Sequence, residues 1–112
     1  MLKRVRRRYL ALNVESDGVL DSGEFMNAVW NSVSKLFGEY GASQTSLSLI
    51  DYDSTKGFAV VRASHTCLNM VRAALASITQ IGSKRVAVHV LKVSGTLKTL
   101  REKFKGRSRA LF

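Results

Sequence analysis

A chain of 112 residues with 46% hydrophobic content, five Phe, three Tyr and one Trp can bury a core of its own, which excludes disordered and fibrous classes. Its formal charge of +10 excludes a neutral, evenly solvated surface and points to a polyanionic partner. No apolar run reaches the roughly 20 residues of a membrane span, and a lone cysteine, Cys67, leaves no internal disulfide and predicts a reducing, cytoplasmic setting.

The charge is concentrated at the two ends. Residues 1–8 hold five basic residues, and residues 84–112 hold nine against the single acid Glu102, whereas residues 9–83 carry a net charge of −3. Residues 1–8, with Arg6, Arg7 and Arg8, read as a basic arm with no apolar segment after it of the kind a secretory leader needs. Residues 9–14 then alternate, with Leu10, Leu12 and Val14 on one side and Tyr9, Ala11 and Asn13 on the other, the pattern of a half-buried strand. Ser16-Asp17-Gly18 ends it as a turn.

Asp21 and Glu24 stand at capping-box spacing. Phe25, Val29, Val33, Leu36, Phe37 and Tyr40 follow as a helical stripe, so a first helix is predicted over 22–38, with Gly38 and Gly41 as stop signals. A second strand is predicted over 43–53, a turn at Asp53-Ser54-Thr55-Lys56-Gly57, and a third strand over 58–63. Ser64 is a candidate cap for a second helix whose stripe is Cys67, Leu68, Val71, Ala74, Leu75 and Ile78, closed by Gly82. Residues 85–93 form the fourth strand. Gly95, between the hydroxyls of Ser94 and Thr96, hands it over to a basic helix with Leu97, Leu100 and Phe104 on one face and Lys98, Arg101 and Lys105 on the other.

This order predicts one α+β domain over 1–112. Its arrangement is a split βαβ: a ferredoxin-like, RRM-like four-stranded antiparallel sheet with an added basic C-terminal helix and tail over 95–112. Two helices cover one sheet face and the other is left open. On that face Tyr9, Phe58, Arg62 and His89 are candidate contacts. Lys56-Gly57-Phe58-Ala59-Val60-Val61-Arg62-Ala63 overlays the RNA-reading motif of RRM domains, but Val60 and Ala63 stand where that motif has aromatic residues. Phe58 alone would remain to stack a base.

Chemistry is sparse. His65, His89 and Cys67 do not make a zinc set of recognised spacing. Asp51 and Asp53 read as turn residues before a metal pair, and no phosphate-binding glycine loop precedes a Lys-Ser or Lys-Thr. No catalytic residue and no cofactor bound by the protein is assigned. The predicted contacts to RNA phosphates are Arg6, Arg7, Arg8, Lys84, Arg85, Ser94, Gly95, Thr96, Lys98, Arg101, Lys105 and Arg107.

Several segments together resemble a known family. They are Arg7-Arg8-Tyr9-Leu10, Gly57 with Val61-Arg62, Ser64-His65, Val71-Arg72-Ala73-Ala74-Leu75, Ile78-Thr79 and Val93-Ser94-Gly95-Thr96 ahead of the basic helix. The chain is similar, over nearly its whole length, to the Pop class of ribonuclease P proteins of archaea and eukaryotes, in its compact archaeal form. The resemblance implies a non-catalytic subunit of the ribonucleoprotein that removes the 5′ leader of precursor tRNA. It also implies an active site made by the catalytic RNA with Mg²⁺, a TIM-barrel-like partner (ribonuclease P protein component 3), and a homodimer within a heterotetramer. The competing readings are a stand-alone RRM-like single-stranded RNA binder and, from another class, a small ferredoxin-like enzyme or metal-binding domain.

Overall fold

The structure, a computed structural model, describes residues 6–104. Strand β1 (Arg7–Ser16) is followed by helix α1 (Ser22–Ser43), then by the hairpin of β2 (Ser48–Asp53) and β3 (Phe58–Ser64). A 3-10 turn (His65–Cys67) leads into α2 (Leu68–Ser77), and a second hairpin pairs the two-residue β4 (Gln80–Ile81) with the long β5 (Lys84–Ser94) before α3 (Leu97–Lys103). The strands form one antiparallel sheet in the order β2-β3-β1-β5-β4. The sheet thus has five strands where four were predicted.

The helices start where their caps dictate. Asp21 accepts the Glu24 amide at 2.8 Å while the Glu24 carboxylate accepts the Asp21 amide, completing the capping box at α1. Gly38 takes φ 77°, a left-handed angle that breaks the helix where the sequence placed its end. The chain resumes helical turns to Ser43, so β2 begins at Ser48 and not at 43. Ser64 is the last residue of β3 and makes no side-chain cap; its hydroxyl meets the Thr66 hydroxyl at 3.1 Å. Gly82, expected to close α2, instead turns the β4–β5 hairpin at φ 62°, and α2 ends at Ser77.

The main core lies between the sheet and α1 with α2. Leu10, Leu12 and Val14 from β1, Ala59, Val61 and Ala63 from β3 and Val86 and Val88 from β5 meet Phe25, Val29 and Val33 of α1 and Val71, Ala74 and Leu75 of α2. This is the alternation that periodicity predicted, with one sheet face turned to two helices. Ser32 Oγ on α1 donates to the Ala74 carbonyl on α2 at 2.9 Å and ties the two helices together.

The second face is not open. A separate core of Ala11, Phe58, Val60, Leu100 and Phe104, flanked by Tyr9, Ile50 and Leu97, packs α3 against it. The rings of Phe58 and Phe104 lie 5.4 Å apart and tilted by 44°, in the range where aromatic pairs attract beyond simple burial. The apolar stripe of the last helix therefore docks on its own sheet. The sequence alone left that choice undecided.

Candidate nucleic-acid interface

The two basic ends of the chain meet because β1 and β5 are antiparallel neighbours. Tyr9 pairs with Ser94, so the start of β1 lies beside the end of β5 and the junction to α3. The Arg8 guanidinium reaches over this junction: a β-carbon on Gly95 would lie 3.6 Å from Arg8 Nη1. Arg6 and Arg7 are exposed, as are Lys98 and Arg101 on α3. Residues about ninety positions apart in sequence thus share one end of the sheet.

The cross-strand register adds to this end. Ser48, Arg62, Tyr9 and Ser94 form one row across four strands, and cross-strand partners share a face. Arg62 is half-buried, and its Nε is buried with no hydrogen-bond partner among the described residues. Lys92 pairs with Ala11 on the same face. The sequence reading missed Lys92, since strict alternation from Arg85 turns it toward the helices. The register shifts between Ala11 and Leu12, with Leu91 as the extra residue, and this bulge carries Lys92 to the α3 side. A lysine at a position that alternation would bury was the available signal.

Other predicted contacts behave differently. Two of the junction donors are engaged within the chain: Thr96 N donates to Ser94 Oγ at 3.2 Å, and Thr99 N to Thr96 Oγ1 at 3.3 Å. Ser94 Oγ itself donates to the Thr96 carbonyl at 2.9 Å. Ser94, Gly95 and Thr96 therefore build the turn and cap α3. Lys84 and Arg85 sit at the far end of β5, about 30 Å from Ser94 at roughly 3.4 Å per residue. Lys84 is also engaged, its Nζ lying 3.1 Å and 3.2 Å from the two Glu24 carboxylate oxygens. Arg85 is exposed, and its backbone N–H donates to Asp17 Oδ1 at 2.9 Å. Lys105 and Arg107 lie outside the described residues.

On the sheet face, Phe58 has no exposed surface. Its ring is packed under α3, which overturns its expected place on an open face. Tyr9 is half-buried beside the same cluster. His89 is exposed opposite Asn13, four residues along β1 from Tyr9.

Asp53 Oδ1 accepts the amides of Thr55 at 3.0 Å and Lys56 at 3.2 Å, the turn capping expected of it. Burial pushes the Asp51 carboxyl above its ordinary pKa, opposed by a hydrogen bond from the Tyr52 backbone and reinforced by the charge of Asp53. Among the described residues no three His, Cys, Asp or Glu side chains cluster as metal ligands. No helix among them is long and apolar enough to cross a membrane.

Comparison with known proteins places these features in a family. Residues 8–105 match the Rpp14/Pop5 family. The chain is 36% identical to ribonuclease P protein component 2 of Methanosarcina mazei, covering 90% of this chain and 85% of that protein. It is 32% identical to ribonuclease P protein component 2 of Pyrococcus horikoshii, over 90% and 84% of the two chains. A chain in a cryo-EM structure of yeast ribonuclease MRP has the same fold, with a TM-score of 0.68 at 15% identity over 92% of this chain and 94% of that one. With a match that takes in all of β1 but its first residue and runs through α3, the chain belongs to the Rpp14/Pop5 family.

Proposed function

We propose that this chain is a non-catalytic subunit of ribonuclease P, acting in the cytoplasm, that binds and stabilises the catalytic RNA through the basic end of its sheet. The observation that carries the reading is the convergence of Arg8 with the Gly95 junction, which gathers Arg6, Arg7, Lys98 and Arg101 at one end. Side chains so placed neutralise phosphates where RNA strands crowd, releasing counterions and favouring the compact catalytic shape. Arg62 joins this set by register. Family membership and relatives named ribonuclease P protein component 2 support the assignment.

In this reading the RNA holds Mg²⁺ and cleaves the precursor tRNA, and this chain positions RNA. The four long strands serve as the split βαβ frame, and the net-negative middle of the chain is free for a TIM-barrel-like protein component 3 and for pairing of two copies in a heterotetramer. The alternative, a single-strand binder that stacks bases on its sheet, loses its platform, because Phe58 is packed against Phe104. Reconstitution tests the proposal. Cognate catalytic RNA is assayed for precursor-tRNA cleavage with and without this protein and its barrel-like partner. A lower Mg²⁺ requirement or a faster rate is expected, and no change in either contradicts the assignment.

A further inference from the structure

β5 is eleven residues long, yet β4 pairs only with its first two, Gln80 with Arg85 and Ile81 with Lys84. One more bond, from Val86 N to the Thr79 carbonyl at 3.0 Å, ends that cover. Antiparallel geometry sets the direction of the next amides along the strand. Since Val86 turns its N–H away from β1, Val88 and Val90 do the same by alternation. The other side of the ladder agrees: Val14, opposite Val88, sends its N–H to the Gly57 carbonyl, away from β5. Val88 and Val90 each present a backbone donor and acceptor outward, about 7 Å apart, with no partner among the described residues.

An unpaired edge of this kind is a template for another strand. Its flanks state what that strand must carry. On the helix side, Val90 and Val93 are only half-buried against the main core, an apolar shelf that alternate side chains of an added strand would extend. On the α3 side stand His89 and Lys92, with Arg85 further along, and no acid occurs from Lys84 to Ser94. The opposite edge, β2, has the reverse character, with Asp51 and Asp53. A second copy pairing through β5 would lay two cationic strands side by side without a carboxylate between them.

We infer that the β5 edge at Val88 and Val90 takes up an extended segment of a partner protein as an added strand. Its acidic residues lie on the His89 and Lys92 side and its apolar residues on the Val90 and Val93 side. Affinity comes from backbone hydrogen bonds, and the charged flank selects among segments.

A random nonapeptide library displayed on phage, selected on the full chain, is the probe. Enrichment of segments alternating acidic with apolar residues is expected. Such a peptide, added to isotopically labelled protein, should shift the Val88 and Val90 amide signals and slow their exchange. Val90→Pro removes an outward donor and no bond to β1, a place where strands tolerate proline, and at least a tenfold loss of peptide affinity is expected. Lys92→Glu tests the charged flank without touching the backbone, and there too at least a tenfold loss is expected. The inference is overturned if no such segments are enriched, or if both variants bind the peptide as the unaltered chain does. It is equally overturned if the same amides become protected on raising the concentration of the chain alone, which assigns the edge to a second copy. Perturbation of the same amides by a uridine homopolymer, which assigns the edge to RNA, would also overturn it.

Discussion

At the scale of single residues, two positions show how local chemistry fixes the frame of the sheet at the end away from the basic side chains. Gly57 takes φ 64°, and a β-carbon there would lie 2.5 Å from the Val14 carbonyl oxygen. The Gly57 carbonyl in turn accepts the Val14 amide at 2.7 Å, so the backbone cannot move away without losing that bond. Gly57→Ala should cost about 2–3 kcal/mol, read as a lower urea midpoint with an unchanged slope. Tyr52 is the second case. Its hydroxyl donates to the Leu20 carbonyl and holds the loop before α1 onto β2. Burial holds that hydroxyl above its ordinary pKa, and the carboxylates of Asp21 and Glu24 push the same way. The folded chain therefore keeps a proton that the unfolded chain releases. The associated stability is complete below about pH 10 and is lost as pH rises through the folded pKa. Tyr52→Phe should cost about 1 kcal/mol at pH 7 and should lack the alkaline loss, so its stability and that of the unaltered chain converge toward pH 11. Parallel urea titrations at the two pH values check this.

At the scale of elements, α3 decides what the second sheet face can do. Leu100 and Phe104 seal Phe58 and Val60 from solvent. Leu100→Ala should cost about 3 kcal/mol and loosen α3, measured by faster amide exchange across 97–104 while α1 and α2 keep theirs. Phe58→Leu keeps an apolar side chain in the same cluster. RNA affinity should change less than twofold, against a large loss if the ring stacks a base. Much of this layer was legible in the sequence. The Asp21–Glu24 pair, the stripe of α1, the Asp53 turn and the Val86–Val88–Val90 side of β5 all carry short-range signals that packing had no reason to override. The rest depended on contacts distant in sequence. Leu97, Leu100 and Phe104 announced an apolar face without saying which surface it meets, and that hid the burial of Phe58. The bulge at Leu91 inverted the side taken by Lys92, and a two-residue strand such as β4 is too short to leave a periodic pattern. The approach of Arg8 to Gly95 follows only from the register of β1 on β5.

At the scale of the whole molecule, charge is sorted by topology. A net-negative middle segment supplies α1, α2 and the β2–β3 hairpin, while the basic ends are brought side by side by the central β1–β5 pairing. Lys84 and Arg85 are also basic but lie at the far end of β5, with Lys84 held by Glu24. In the proposed function the interface is the end of the sheet that carries Arg6, Arg7 and Arg8 together with Lys98 and Arg101. Its strength should be electrostatic, falling on the order of a thousandfold between low and moderate salt if about six phosphates are neutralised. The most direct test is the affinity of this chain for cognate catalytic RNA across a salt series, compared with the double variant Lys98→Glu with Arg101→Glu. A log–log salt slope shallower by about two and weaker binding at every salt concentration are expected. An unchanged slope with unchanged affinity would contradict a basic end that reads RNA phosphates.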